Sequence, residues 1–172
     1  MKEKGFAVLE LLVAIAIVAI LAGGISSSFF QTVRVTRQNN DMAAALRQAQ
    51  NTGDWLSRDT MMGETIQVVN PPVAGAAFVT IGWNQWETGD NHTVRYIWLD
   101  SADARYRIRR EYSVLSRAGT PLASASTYIA DNIDTLDYSP RDGAWKLTVA
   151  ASSGQQSVLR EYQVFPRINA DG

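Results

Sequence analysis

The sequence of 172 residues contains no cysteine and only one histidine, His92. The lack of cysteine excludes disulfide bonds, thiol catalysis and cysteine-ligated zinc or iron. A single histidine with no placed serine or metal partner is more often a surface residue than a catalytic one. Neither a nucleophile–base pair nor a set of metal ligands can be assembled. The sequence therefore predicts a protein that is not an enzyme and uses no cofactor or metal, with a membrane-tethered hydrolase as the least favoured alternative.

An excess of charge of either sign is also lacking, because 16 basic side chains nearly balance 17 acidic ones. The net charge therefore gives the whole molecule no attraction for a polyanion. A nucleic-acid partner would need a local basic patch, which makes nucleic acid a less favoured partner than protein or lipid.

Proline is absent before Pro71, and charge is absent between Glu10 and Arg34. Most of the long apolar runs lie in this N-terminal part, from Phe6 to Phe30. The uncharged segment would extend over roughly 34 Å as a helix, enough to cross a hydrocarbon core of about 30 Å. A membrane-spanning helix is predicted, and the short basic leader favours a cytoplasmic N-terminus.

A secretory signal peptide is the alternative interpretation, with a cleavage site of small residues at Ala22-Gly23-Gly24. Glu10 argues against it. A carboxylate within an apolar span costs about 2.5 to 3.5 kcal/mol on insertion scales and is seldom present without a function.

The segment from Lys4 to Ile15, with Gly5 before Phe6 and Glu10 four residues later, resembles the class III signal of type IV prepilins and type II secretion pseudopilins. The resemblance implies that a prepilin peptidase cleaves between Gly5 and Phe6 and methylates the new amino group of Phe6. The apolar helix would remain in the membrane as an anchor. Ala7 stands where threonine is often found, which leaves the glycine, phenylalanine and glutamate intact.

Glu10 has a physical role that agrees with this resemblance. Cleavage would create an amino group at the positive end of a helix, where a carboxylate in the first turn or so is stabilised. The resemblance implies a more specific partner, the Phe6 amine of a neighbouring subunit in a filament. The alternative is that Glu10 only reaches the membrane surface near the end of its helix.

Beyond the span, helical spacing continues on a more polar helix with an apolar stripe at Met42, Leu46, Ala49, Gly53 and Leu56. One helix from Phe6 to about Met62 is predicted, with soft points at Gly23-Gly24 and Gly53. The sequence predicts a leader at residues 1–5, a transmembrane and assembly helix at 6–33, an amphipathic helix at 34–64 and an antiparallel β-rich head at 65–172.

The head is predicted from short runs of β-branched and aromatic residues that are separated by turn residues. Predicted strands cover Ile66–Val69, Phe78–Trp83, Thr93–Leu99, Arg105–Leu115, Asp134–Ser139, Trp145–Ala151 and Ser157–Phe165. Ser101-Ala102-Asp103-Ala104 is predicted as a hairpin connection. Because no helix intervenes, the strands should pair antiparallel, which gives an α+β fold with the amphipathic helix packed on one face of the sheet.

Three arginines, Arg105, Arg107 and Arg109, alternate along one predicted strand and form a possible basic patch. Such a stripe beside tyrosines could bind DNA phosphates or acidic loops of a neighbouring subunit. The favoured interpretation is a solvated face balanced by Glu111 and Asp100.

Two other clusters have both a functional and a structural interpretation. The acidic residues Asp131, Asn132, Asp134, Asp137 and Asp142 could hold calcium, but their spacing does not match an EF-hand and favours turn and cap roles. The tryptophans Trp55, Trp83, Trp86, Trp98 and Trp145 could form a carbohydrate-binding or hydrophobic surface, although packing is favoured.

The segments Val94–Asp100, Arg105–Tyr112 and Tyr128–Tyr138 are similar to the hairpin and following strand of PilW-like minor pilins and J-type pseudopilins. We therefore expect a minor subunit of a type IV pilus or a secretion pseudopilus that helps initiate or regulate assembly and protein export. The expected partners are prepilin peptidase, other pilins or pseudopilins, the inner-membrane assembly platform and, before assembly, membrane lipid. An adhesin-like or DNA-binding minor pilin is the alternative. The expected location is the inner membrane, with a cytoplasmic N-terminus and a periplasmic or extracellular head, and then the filament.

Overall fold

The computed structural model describes residues 4–100 and 105–166. One helix, α1 (Lys4–Met62), precedes seven strands. The strands are β1 (Thr65–Val68), β2 (Ala77–Asn84), β3 (Asn91–Asp100), β4 (Tyr106–Leu115), β5 (Pro121–Arg141), β6 (Ala144–Ser153) and β7 (Gln156–Val164). The chain divides into two compact units, Met1–Asn40 and Asp41–Gly172. The predicted domain bounds near residues 33 and 64 stay predictions.

The first unit is helical throughout its described part, and the helix is unbroken at Gly23-Gly24. Two of its polar side chains form hydrogen bonds to the helix backbone. Ser28 Oγ donates to the carbonyl of Gly24 at 3.0 Å, and Thr32 Oγ1 donates to the carbonyl of Ser28 at 2.9 Å. These internal bonds make the two hydroxyls compatible with a hydrocarbon environment, where unsatisfied polar groups are costly.

The second unit is an antiparallel seven-stranded sheet in which the strands neighbour each other in chain order, from β1 to β7. This arrangement confirms the predicted α+β fold. Short connections suffice for such a meander, and Asp142-Gly143 between β5 and β6 forms a two-residue hairpin with φ of 52° and 74°. The predicted connection Ser101–Ala104 lies outside the described residues.

The part of α1 that belongs to this unit covers one face of the sheet. Ala45, Ala49 and Leu56 are fully buried against it. The predicted stripe is shifted at its start, because Met42 is exposed and Leu46 is half-buried, whereas Ala45 is buried. Small residues at the contact let the helix lie close to the strands, so the stripe follows residue size as well as hydrophobicity.

Gly53 is a close contact and not a soft point. A Cβ atom at this position would overlap the ring of Tyr162 on β7. The tyrosine hydroxyl also donates to the carbonyl of Ala49 at 3.5 Å. The helix therefore rests on β7 at a place where only glycine fits.

The predicted strands recur with shifted ends, except that β5 is much longer than expected. It begins at Pro121, whereas the prediction placed a strand only from Asp134 to Ser139. The added segment is rich in alanine and serine, which have weak strand preference, and it is held in the sheet by its pairing with β4.

The core lies between the helix and the sheet and continues along the strands. Its largest fully buried side chains include Phe78, Tyr96, Ile108, Ile133 and Tyr138. Burying side chains of this size contributes about 1.5 to 3 kcal/mol each, so the head has the material for a stable fold.

Candidate functional site

The predicted processing site lies at the start of α1. Gly5 and Phe6 are within the helix, and Glu10 follows Phe6 by four residues. Four residues correspond to about one turn and an axial rise of roughly 6 Å. The Glu10 side chain is exposed. The geometry therefore leaves this carboxylate open to a group outside its own chain.

The helix surface around and beyond Glu10 is apolar and uncovered. Residues such as Leu12, Ile20 and Phe30 keep between 60% and 74% of their surface exposed. The described residues contain one helix that is long and apolar enough to cross a membrane, and none of its most apolar window is buried. Apolar surface of this extent is stable in lipid or against other helices and costly in water.

The second unit contains a buried polar cluster that links the helix to the sheet. Nε and Nη2 of Arg110 on β4 donate to Oδ2 and Oδ1 of Asp59 on α1, at 2.7 Å and 2.9 Å. The hydroxyl of Tyr96 on β3 donates to the same carboxylate. This cluster was not predicted from the sequence. The signal available in the sequence was the spacing of Asp59, three residues after Leu56. This spacing places a carboxylate on the same face of the helix as the buried leucine.

The charges of this cluster shift the ionisation of its members. Burial, together with the neighbouring charge of Asp59, raises the pKa of Tyr96 far above its usual range. Burial alone would lower the pKa of Arg110, but the hydrogen bonds and charge of Asp59 outweigh it and raise that pKa. The guanidinium group also lies 4.7 Å from the ring centre of Trp55. The cluster is therefore a fixed ion pair that sets how α1 sits on the sheet.

An open cleft of about 1130 Å³ lies beyond this cluster, where α1 ends and the sheet face continues. Its wall is an aromatic row. Trp83 stacks on His92 with ring centres 5.1 Å apart, and a 2.6 Å hydrogen bond joins His92 Nδ1 to the Tyr112 hydroxyl. Gln85 Oε1 lies 3.2 Å from His92 Nε2. The histidine is therefore held by side chains on both ring nitrogens, as a structural part of the cleft wall.

The rim of the cleft is apolar and exposed. Trp86 keeps 97% of its surface in solvent, and Met61 and Met62 keep about half of theirs. Trp98 and Trp145, in contrast, are buried in the core. Of the tryptophans considered as a binding surface, Trp83 and Trp86 therefore lie together at the cleft. Trp98 and Trp145 pack in the core.

The three arginines of the possible basic patch each have an acidic neighbour. Arg107 Nε lies 2.7 Å from Asp131, Arg109 Nη2 lies 2.9 Å from Glu111, and Arg105 Nε lies 3.9 Å from Asp134. A bulge interrupts the pairing of β4 near these arginines. Much of their positive charge is thus balanced within the head.

The acidic residues considered as calcium ligands also form contacts within the head or lie in turns. Asp131 and Asp134 face arginines, Asp137 accepts a hydrogen bond from Asn70, and Asn132 and Asp142 adopt positive φ at a bulge and a turn. No group of three potential metal-binding side chains occurs among residues 4–100 and 105–166. Pairing and turn roles account for these residues.

The described residues thus combine an N-terminal helix that is long and apolar enough to cross a membrane with an antiparallel sheet. The family model for the prokaryotic N-terminal methylation motif matches residues 1–26. This match supports the class III signal of type IV pilins and pseudopilins at the N-terminus, and with it a pilin-like or pseudopilin-like subunit. No curated protein matches the chain.

Proposed function

We propose that this protein is a minor pilin or pseudopilin, of the PilW-like or J-type kind, that assembles through its N-terminal helix into a type IV pilus or a type II secretion pseudopilus. It helps to initiate or regulate assembly and protein export. The observation that carries the proposal is the methylation motif at residues 1–26 on a helix with an exposed apolar surface. Before assembly the helix lies in the inner membrane, with the head on the periplasmic or extracellular side.

Processing by a prepilin peptidase is the first step of this function. The enzyme cleaves between Gly5 and Phe6 and methylates the Phe6 amine. Mass spectrometry of the protein from its own membranes should find a mature chain that begins with methylated Phe6. Gly5→Val should abolish cleavage, because the peptidase requires a small residue before the cut. A mature chain that begins well after Ile25 and is free of the membrane would contradict the proposal.

Assembly is the second step, and Glu10 is the residue proposed to direct it. The exposed carboxylate pairs with the Phe6 amine of a neighbouring subunit as the apolar helices pack together. A buried charge without its partner costs about 3 to 5 kcal/mol. Glu10→Ala should therefore reduce incorporation into filaments roughly a hundredfold or more, while cleavage and membrane insertion stay normal.

The matched controls for this experiment are Glu10→Asp, which keeps the charge, and Glu64→Ala, which removes an exposed carboxylate outside the helix. Glu64→Ala should assemble normally. Glu10→Asp should assemble better than Glu10→Ala. Normal assembly of Glu10→Ala would exclude the proposed role of Glu10.

A second candidate function, presentation of a ligand-binding head by an adhesin-like minor pilin, is favoured by the open cleft with Trp86 at its rim. A tryptophan that is 97% exposed beside Met61 and Met62 is typical of a binding surface. Trp86→Ala should reduce adhesion of the bacteria to surfaces while filament number stays unchanged. The control is Trp98→Phe, a buried change outside the cleft. Equal adhesion of wild type and Trp86→Ala would remove this candidate.

A further inference from the structure

Strand β5 changes its neighbours along its length. Its first part, from Pro121 to Tyr128, pairs with β4, whereas its pairing with β6 begins at Ile133. Near the change, the backbone N–H of Asp131 donates to Gln48 Oε1 on α1 at 2.9 Å. Within the part of the chain that the structure describes, no strand pairs with the outer edge of Pro121–Tyr128. Alternate backbone N–H and C=O groups of this segment therefore point to solvent.

Among the described residues the sheet has three edges without a neighbouring strand, and these edges differ in the features that discourage pairing. Strand β1 has only four residues, and β7 carries Arg160 and Glu161. Short edge strands and charged side chains are two common ways in which proteins prevent edge-to-edge association. The segment from Pro121 to Tyr128 has neither protection, because it contains eight exposed residues and no charged side chain. A further strand should therefore pair more readily with this edge than with β1 or β7.

The sequence of this edge is nearly the same when it is read in either direction from Ala125. Ser124 and Ser126 flank the centre, Ala123 and Thr127 come next, and Leu122 and Tyr128 close the segment. An antiparallel strand of the same sequence, centred on the same residue, would thus place small residues opposite small ones and the leucine opposite the tyrosine. The self-complementary order identifies the partner that this edge fits, which is a second copy of the same chain.

We propose that Leu122–Tyr128 is an interface through which two copies of this protein pair, antiparallel and centred on Ala125. The pair has twofold symmetry, so each contact occurs twice except the one between the two Ala125 residues on the axis. The segment measures roughly 23 Å at about 3.3 Å per residue. The two sheets would join into one continuous sheet across the edge.

Side chains support this pairing on both faces of the sheet. Ala123, Ala125 and Thr127 stand opposite Val114, Tyr112 and Arg110 of β4. By alternation, Leu122, Ser124, Ser126 and Tyr128 point to the other face. There Leu122 and Tyr128, each more than half exposed in the single chain, would cover each other across the pair. Aromatic–aliphatic and Ser–Ser pairs of this kind stabilise adjacent antiparallel strands.

Cysteine cross-linking of the full chain in detergent micelles tests the register, because the protein has no cysteine of its own. Directly opposite residues of an antiparallel pair lie close enough for a disulfide after small adjustments. Mild oxidation of Ala125→Cys should give a several-fold higher yield of covalent dimer than Leu159→Cys, which is also an exposed position, on β7. Ser124→Cys mixed with Ser126→Cys should form more mixed dimer than either forms alone.

A second measurement separates this interface from association of the apolar helices. The double variant Ser124→Lys/Ser126→Lys keeps the helix unchanged but places lysines opposite each other in the pair. Its dimer should dissociate with a constant roughly tenfold larger than that of wild type, by analytical ultracentrifugation in the same micelles. Leu159→Lys, which adds a charge to the β7 edge, should dimerise as wild type does.

Three results would overturn the proposal. They are a monomeric full chain, equal cross-linking at residues 125 and 159, and an unchanged dimer in the lysine double variant. If this edge pairs with a different protein instead, the purified full chain should be monomeric. Unfolding of a variant is checked by its tryptophan fluorescence. The inference is independent of the proposed filament role, because it concerns the purified chain and does not require processing at Gly5.

Discussion

Two stretches of the same helix differ in what covers them. Before Asp41 the large side chains, for example Leu12 and Phe30, are exposed, whereas Leu56 in the second stretch is fully buried. Both stretches share one backbone geometry. As far as Phe30 the first is almost entirely apolar on all sides and needs lipid or other chains around it, while the second is apolar along one stripe that its own sheet covers. The apolar surface of the first stretch therefore has to be covered by lipid or by other chains, whereas the apolar stripe of the second stretch is covered within the head.

Each stretch also contains a carboxylate of interest, and the surroundings of the two carboxylates are opposite. Glu10 is exposed, whereas Asp59 is bound by Arg110 and Tyr96 of its own sheet. If the comparison is correct, removing Asp59 damages the isolated molecule, and removing Glu10 damages only its assembly.

The largest effect is expected for Asp59→Ala. The change leaves the charge of Arg110 nearly buried and without its partner, which typically costs about 3 to 5 kcal/mol. All five tryptophans lie in the second unit, so tryptophan fluorescence during urea unfolding reports the head alone. The head of Asp59→Ala should unfold at a much lower urea concentration than that of wild type.

Two control variants sharpen this prediction. Asp54→Ala removes an exposed carboxylate from the same part of α1, and Glu10→Ala removes the one in the anchoring part. Both should leave the unfolding of the head within about 0.5 kcal/mol of wild type. If Asp59→Ala proves as stable as Asp54→Ala, the ion pair does not hold the helix on the sheet.

The next largest effect is expected for Gly53→Ala. A methyl group there overlaps the Tyr162 ring, and overpacking of a core contact costs about 1 to 3 kcal/mol. Gly24→Ala is the matched control, because nothing lies within 4 Å of a Cβ atom at that position. It should leave the unfolding of the head unchanged.

The double variant Gly53→Ala/Tyr162→Ala tests the cause. Removal of the ring makes room for the methyl group, so the two changes together should cost less than the sum of their separate effects. Additive costs would mean that the ring is not the obstacle.

The difference between the two stretches explains what could be predicted from the sequence. The anchoring helix was predictable because an uncharged apolar run of more than about 20 residues is typical of a membrane-spanning helix. Glu10 stood out as the only charged residue of the predicted helix at 6–33. The helix of the head was predictable from its period, but its contacts were not. Whether Gly53 is a weak point or a close contact depends on Tyr162, more than a hundred residues later.

The head illustrates the same limit at its candidate site. The strands rich in valine, isoleucine and aromatic residues were predicted, because such residues favour a half-buried pleated surface. The start of β5 was missed, because its alanines and serines form a strand only beside β4. The Asp59–Arg110 pair was missed for a related reason: its partners lie on different elements, and the register between helix and sheet was not available from local pattern.

An effect of pH is expected above about pH 10. Burial raises the pKa of both Tyr96 and Tyr138 above that of a tyrosine in the unfolded chain, which is about 10. Below pH 10 both residues are neutral in the folded and the unfolded chain, and full stability is present. Above pH 10 the unfolded chain releases these protons and the folded head does not. Stability should fall by about 1.4 kcal/mol per pH unit for each tyrosine.

Tyr138→Phe is the variant that tests this assignment. It removes one of the two buried hydroxyls and its hydrogen bond to Thr60. At neutral pH it should cost about 1 kcal/mol, and above pH 10 its stability should fall less steeply than that of wild type. Urea unfolding between pH 8 and roughly pH 11 measures both. Equal slopes in the two proteins would show that Tyr138 does not contribute.

The smallest effect on stability is expected for Arg107→Ala. This variant tests whether ion pairs at the surface of the head contribute less than the Asp59–Arg110 pair beneath its helix. Arg107 and Asp131 are each about half exposed, with side-chain accessibilities of 49% and 46%, so water already screens their 2.7 Å contact. Exposed pairs of this kind contribute about 0 to 1 kcal/mol, and the cost of the variant should shrink further in high salt. Arg110→Ala is the matched change on the same strand and should cost several times more, because it leaves Asp59 buried and unpaired. Urea unfolding of both variants at low and high salt provides the comparison. If Arg107→Ala were as costly as Arg110→Ala, burial beneath the helix would not be what distinguishes the two arginines.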